Sequence, residues 1–217
     1  MVDKSKYFGF MKAHPELFNG SSPLNIVQDE EEISRYENAH QIGVLSEDDY
    51  FIILRDLVRF PRKRQPYLRA INSRQLEGQN GAAVLPVYCG KIALVKIWRH
   101  GTQDFHLEIP RGFGEKGQTP EETAHKEVKE EISIEPSDMQ PLGSMHTDTG
   151  MTDTCVYLFF AELPTEEAHP QSSEGIIDVK WLSFADFEKY VINGQITDSF
   201  SIAAYTLAKL QKKLTVD

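Results

Sequence analysis

The sequence predicts a mixed α/β (α+β) fold in which helices cover a mixed β-sheet. Three observations carry that expectation. Strand-like runs outnumber helical ones, and the helical segments fall between and after the strands. The 217 residues are 40% apolar and 26% charged, which suits one globular domain with a proper core plus a modest extension and excludes a disordered or fibrous chain.

Residues 1–47 read as an N-terminal extension. Residues 7–18 carry apolar side chains at mixed spacing and stop at Asn19-Gly20-Ser21-Ser22-Pro23. Asp29-Glu30-Glu31-Glu32 opens a short acidic piece, helical or irregular. No chemistry is visible in this arm, which reads as a packing or dimerisation element. The main domain, residues 48–217, begins with a hairpin: residues 50–58 form one strand, Phe60-Pro61-Arg62 breaks it, and residues 67–72 return with Leu68 and Ala70 on one face and Arg69 on the other. Between Arg55 and Arg74 the charges are basic apart from Asp56. That patch is either a hairpin edge guarded by basic side chains or an anion-binding surface.

Residues 82–88 and 92–98 look like buried strands of a second hairpin, joined by Cys89-Gly90-Lys91. Residues 105–109 alternate, with Phe105, Leu107 and Ile109 on one face and His106 and Glu108 on the other. Further strands are expected at 140–146, 154–162 and 176–181, and helices at 184–191 and 199–214, the last with an apolar stripe through Ile202, Tyr205, Leu207, Ala208 and Leu210.

Composition excludes several function classes. Thirty-three acids against 23 bases give a net charge of −10, which disfavours binding to nucleic-acid backbones. An acidic protein that handles an anionic substrate needs clustered basic side chains or a bound divalent metal. No apolar run approaches the roughly 20 residues of a membrane span. The start, Met1-Val2-Asp3-Lys4, lacks the apolar stretch of a signal peptide. Cys89 and Cys155 lie in apolar, strand-like runs and are expected to be buried, reduced thiols of a cytoplasmic protein.

The chemistry concentrates after Pro110. Gly112, Gly114 and Gly117 make a loop behind a strand. Thr119 is then a good N-cap, Pro120 takes the first helical position, and Glu122 completes a capping box. Ala124, Val128 and Ile132 give the new helix its buried side. Glu127, Glu130 and Glu131 share one face at i, i+3 and i+4, close to that apolar stripe. Alone, such a trio is a solvated acidic face. Below a glycine loop whose carbonyls can fold back over it, the trio offers the oxygen ligands that Mg²⁺ requires, with phosphate oxygens and waters completing the shell.

This segment resembles the Nudix box, Gly-x5-Glu-x7-Arg-Glu-U-x-Glu-Glu-x-Gly-U, where U is a bulky aliphatic residue. Gly112, Glu127, Val128, Glu130, Glu131 and Ile134 fit; Gln118, Lys126 and Ser133 stand where the box has Glu, Arg and Gly. The box is therefore degenerate, with its metal-ligand positions intact and a charged brace replaced by a weaker polar one. The flanking strands and the tail, over residues 48–213, resemble ADP-ribose pyrophosphatase-like members.

The resemblance implies an α/β/α sandwich. It implies Glu127 and Glu131 as principal Mg²⁺ ligands (Mn²⁺ being possible), Glu130 as a further ligand and catalytic carboxylate, and the main-chain carbonyl of Arg111 as another ligand. Glu174, ahead of the last strand, matches a catalytic glutamate or is an exposed loop acid. Arg99 matches a substrate-binding arginine or is a strand-end charge, and Glu108 is a substrate-binding candidate or a solvated strand residue.

The implied reaction is metal-dependent hydrolysis of a diphosphate bond in a nucleoside diphosphate derivative, ADP-ribose or another nucleoside-diphosphate sugar. The arm and hairpin are expected to build a homodimer. The proline that ADP-ribose-hydrolysing members carry beyond the box is missing near Thr149. A nucleoside-triphosphate pyrophosphohydrolase and a non-catalytic nucleotide-binding module are the alternatives.

Overall fold

In the computed structural model residues 2–20, 23–170 and 175–214 are described. They fall into two compact units, one comprising the chain up to Glu77 together with Asp148–Thr154, the other Gly78–Thr147 and the chain from Cys155 onward.

In the first unit Asp3 caps α1 (Lys4–Ala13) by accepting from the Lys6 N–H at 2.8 Å, and Asp29 caps α2 (Glu30–Arg35) in the same way. Between them lie a 3₁₀ turn and the short strand β1 (Asn25–Ile26). Strands β2 (Gly43–Glu47), β3 (Phe51–Arg59) and β4 (Arg64–Asn72) follow, then the single turn α3 (Ser73–Leu76). β3 is central, pairing antiparallel with β1, β2 and β4. Tyr7, Ile33, Ile42, Leu54, Leu57 and Ile71 form the core.

Arg69 turns into this core. Asp56, 2% exposed, accepts from the Tyr7 hydroxyl and from Arg69 Nε, both at 2.6 Å. Burial, followed by the Asp56 charge, pushes the Tyr7 phenol far above its ordinary range. Much of the basic patch is likewise engaged within the unit. Arg59 and Arg64 pair with Glu32, and Arg74 lies over the Tyr50 ring. Segment Asp148–Thr154 is tied to β4: the Ala70 N–H donates to the Met151 carbonyl at 2.7 Å and the Asn72 N–H to the Asp153 carboxylate at 2.9 Å.

The second unit is a mixed sheet between helices. Its elements are β5 (Gly81–Tyr88), β6 (Lys91–Arg99), β7 (Asp104–Glu108), β8 (Arg111–Phe113), α4 (Pro120–Ile132), β9 (Asp138–His146), β10 (Cys155–Glu162), β11 (Ile176–Ser183), α5 (Phe184–Ile192) and α6 (Ser199–Leu210). The strand order is β11-β6-β5-β10-β9, with β7 on β6 and β8 on β5. β5 and β10 run parallel and the other pairs antiparallel. Successive residues of β5 and β6 face opposite layers. Leu85 and Leu94 pack with Phe187, Phe200 and Ala204 of α5 and α6, while Val84 and Val95 pack with Ala124 and Val128 of α4. This is the expected α/β/α sandwich. Among the described residues no helix is long and apolar enough to cross a membrane.

Several expectations need correction. Cys155 is half-buried rather than buried, and Leu210, placed in the apolar stripe of the last helix, is 73% exposed. Cys89 is exposed, not buried: with Gly90 it forms the tight turn between β5 and β6, both at positive φ (44° and 73°), so the apolar run ends one residue earlier than its composition suggests. The final helix ends at Leu210 rather than 214, because Lys212 enters the left-handed region at φ 58°.

Candidate active site

The passage from β7 through β8 into α4 places the acids. The Pro110 carbonyl accepts from the Val84 N–H at 3.0 Å, and β8 then pairs with β5 with Gly112 opposite Ala82. The first part of the glycine loop is therefore a strand. The start of α4 follows its sequence signals: Thr119 Oγ1 accepts from the Glu122 N–H at 3.2 Å, and Glu122 Oε2 accepts from the Thr119 N–H at 2.8 Å. Ala124, Val128 and Ile132 are fully buried.

Helical spacing then divides the three glutamates. Glu127 and Glu131 are buried at 6% and 2% exposure, whereas the Glu130 side chain is 41% exposed and lies 4.0 Å from Lys126. Gly112 sits directly beneath Glu127: a β-carbon there would come within 3.0 Å of both carboxylate oxygens. Gly114 is equally constrained, since its β-carbon would come within 3.0 Å of Thr123 Oγ1 and Gln118 Oε1. Close approach to Thr123 requires glycine at 114, while at 112 a side chain would displace the Glu127 carboxylate.

Gln118 and Lys126 act separately. Gln118 Oε1 accepts from the Glu115 N–H at 2.8 Å, and Lys126 Nζ stands 3.7 Å from Glu115. The loop is also held by Asn80, which the sequence did not single out. Its side-chain amide donates to the Gln118 carbonyl at 3.1 Å, and its own carbonyl accepts from the Gly114 N–H at 3.0 Å.

Glu108 is not the solvated strand residue that alternation allowed. It is 3% exposed and lies between two arginines. Arg99 donates to its Oε2 from Nη2 at 2.6 Å and Nε at 3.0 Å; Arg111 approaches the same oxygen with Nη2 at 3.0 Å and Nε at 3.1 Å. Burial works to raise the Glu108 pKa, but the Arg99 hydrogen bond and the Arg111 charge outweigh it and hold the carboxyl below its ordinary value. Burial likewise opposes the Arg99 charge. The Glu108 hydrogen bond and the charges of Glu108, Glu131 and Asp198 more than offset it and keep the guanidinium pKa raised. The Arg111 guanidinium also lies 4.8 Å from the centre of the Phe200 ring.

Residues 198–201 fix that ring's helix to the strand. Asp198 caps α6 by accepting from the Ser201 N–H at 2.8 Å and its hydroxyl at 2.6 Å, and Ser201 Oγ in turn accepts from the Ile109 N–H at 3.0 Å. The Asp-x-x-Ser spacing is a legible cap signal; its link to Ile109 leaves no trace in sequence.

Glu127, Glu131, the Arg111 main chain and the Arg99–Glu108 pair are thus carried by adjoining elements of one unit, with Glu130 at the solvent edge. Glu174 lies outside the described residues. The donor chemistry fits a hard divalent cation: the buried Glu127 carboxylate meets a backbone cradle that a side chain at Gly112 would fill, and a second buried carboxylate, Glu131, stands one turn along the same helix. Among the described residues no three His, Cys, Asp or Glu side chains gather tightly enough to hold an ion by themselves. A cation here would draw on main-chain oxygen, water and substrate phosphate as well.

The NUDIX domain family matches residues 79–200. An ADP-ribose pyrophosphatase of Bacillus subtilis (strain 168) is 31% identical over 126 residues, covering 57% of this chain and 67% of that protein. A methanol dehydrogenase activator of Bacillus methanolicus is 30% identical, with 57% and 68% covered. An ADP-ribose pyrophosphatase of Mycobacterium tuberculosis (strain ATCC 25618 / H37Rv) is 28% identical over 160 residues, with 70% and 73% covered. Among solved structures, the crystal structure of an ADP compounds hydrolase superposes with a TM-score of 0.65 at 16% identity, covering 79% of this chain and 91% of that one; this match speaks to the fold.

Proposed function

Because the chain belongs to the Nudix hydrolase family, we propose that it hydrolyses the diphosphate bond of ADP-ribose or a similar nucleoside-diphosphate sugar with Mg²⁺ as the working metal, as a cytoplasmic homodimer. The observation that carries this reading is the Glu127 carboxylate seated on Gly112 with Glu131 buried one turn further along α4. Carboxylate oxygens gathered on one helix face beside a backbone cradle are the ligands a hard divalent cation takes. The names of two relatives, both ADP-ribose pyrophosphatases, support the substrate class.

Glu127 and Glu131 are the principal metal ligands in this reading, with Glu130 and the Arg111 carbonyl as further ones. When bound there, a divalent cation polarises phosphate oxygens, offsets charge in the transition state and lowers the pKa of a bound water. Water adds to one phosphorus, its bond to the bridging oxygen breaks, and two phosphomonoesters leave; from ADP-ribose these are AMP and ribose 5-phosphate. Arg99 holds the anionic substrate. Glu130 or Glu174 takes the proton of the attacking water, Glu130 having the exposure that this role needs.

The test is a panel of diphosphate compounds and nucleoside triphosphates incubated with Mg²⁺, with product identification. ADP-ribose turned into AMP and ribose 5-phosphate is the expected result; release of pyrophosphate from triphosphates alone would replace this reading with the pyrophosphohydrolase one. Glu131→Gln is expected to lower turnover by a factor of at least about 100, with its circular dichroism spectrum and Tm kept near wild type. Undiminished turnover in that variant would remove the metal role.

A further inference from the structure

The Nudix reading assigns Arg111 a role only through its main chain, yet its side chain is among the most firmly held cations in the unit. We propose that the Arg111 guanidinium, together with Arg99, forms a prebuilt clamp for the diphosphate of the substrate, and that Glu108 is the positioning residue that holds the two guanidinium groups side by side. This rests on the reading of the chain as a diphosphate hydrolase.

Charge and exposure argue for it. Within the trio, one carboxylate between two guanidinium groups leaves one positive charge, which the acids Glu131 and Asp198 face from outside it. The arrangement hides the acid and presents the cations: the Glu108 side chain is 4% exposed, those of Arg99 and Arg111 are 29% and 28% exposed. Glu108 takes the Nε and Nη2 edges of both arginines and leaves both Nη1 groups out of its bonds. Two like charges meeting at one oxygen repel, and an incoming anion relieves that repulsion. A guanidinium fork also matches paired phosphate oxygens.

Position argues for it too. Gly112, the next residue after Arg111, lies beneath the Glu127 carboxylate, and the Glu131 charge reaches Arg99. The clamp therefore begins one residue from the candidate cation site. Phe200 and Glu108 fix the Arg111 side chain before substrate arrives, so little reorganisation remains on binding.

The experiment compares wild type with Arg111→Met, Arg111→Lys and Glu108→Gln in two assays: Mg²⁺-dependent ADP-ribose turnover, and calorimetric titration with inorganic pyrophosphate in metal-free buffer. Arg111→Met is expected to raise KM and weaken pyrophosphate binding by about tenfold, with kcat changed less than KM. Arg111→Lys is expected to recover part of both, because it restores the charge without the fork, and Glu108→Gln to raise KM while the chain stays folded. If wild type turns over ADP-ribose but Arg111→Met and Arg111→Lys, both folded, keep KM and pyrophosphate affinity within twofold, the clamp is wrong and the hydrolase reading survives. If wild type turns over no diphosphate compound yet binds pyrophosphate through Arg111, the clamp stands and the hydrolase reading falls. Absence of both binding and turnover in wild type overturns both.

Discussion

Single residues decide whether the buried acids can sit where they do. A methyl group at Gly112 would enter the space of the Glu127 carboxylate and force that side chain off its seat. Gly112→Ala is therefore expected to lower stability by about 1–3 kcal/mol and to reduce turnover severely, checked by chemical denaturation and by initial rates on one sample. Glu108 makes a prediction with a definite sign. Its folded pKa lies below the ordinary 4.5, so its ion network stabilises the fold fully above that value and loses the effect as pH falls through the lower folded value. Wild type should lose stability across that acid window, and Glu108→Gln should lose less of its own; equal pH profiles for the two would contradict the assignment. Glu127 and Glu131 are legible because their helical spacing falls behind a glycine loop and fits the Nudix box, whereas the spacing alone reads as a solvated acidic face. Glu108 was not legible in the same way: its two partners come from other strand positions, Arg111 on β8 and Arg99 on β6, and the register sets Val95 rather than Arg99 opposite it, so Arg99 reaches it along the strand with its long side chain.

At the level of elements, α4 could be read almost completely from its sequence, since its cap, proline and apolar stripe are local signals that agree with one another. Thr119→Ala removes the side-chain half of the capping box, the acceptor for the Glu122 N–H, while the backbone N–H at 119 still donates to Glu122; it is expected to cost about 0.5–2 kcal/mol, measured as a shift in the denaturation midpoint. The other end of the helix explains a departure from the family pattern. Ser133 stands at φ 59° and ψ 28°, the left-handed cap where the Nudix box has glycine, and its hydroxyl donates to the His169 carbonyl at 2.9 Å. Replacing it separates the two effects. Ser133→Ala loses the bond and keeps the strained backbone; Ser133→Gly loses the bond and relieves the strain. The glycine variant is expected to be the more stable of the two by about 1 kcal/mol, and the reverse order would remove strain as the explanation. β8 escaped notice for a physical reason: three residues carry no measurable period, and the strand exists because β5 offers it a pairing edge.

For the whole molecule, the sequence announced the change of period near residue 50 but not which sheet the first hairpin joins. That depends on β1 and β2, which are two and five residues long and too short to read. The hairpin's surface bears on the proposed homodimer. Around it Tyr50, Phe51 and Tyr67 remain 56%, 39% and 44% exposed, although the unit has a well-filled core of its own. Aromatic rings left in water beside arginines are the residue types that interface centres favour. A stable dimer buries about 800 Å² on each partner, which the two nine-residue strands of the hairpin and the adjoining arm are long enough to supply. Light scattering on wild type should give twice the chain mass, and the double change Tyr50→Glu with Tyr67→Glu should return the single-chain mass while each core stays folded. Those side chains contribute nothing to the core of the first unit, so a loss of folding in the double variant would mean that the rings are packing elements. A wild-type monomer would show that the arm and hairpin serve one chain alone.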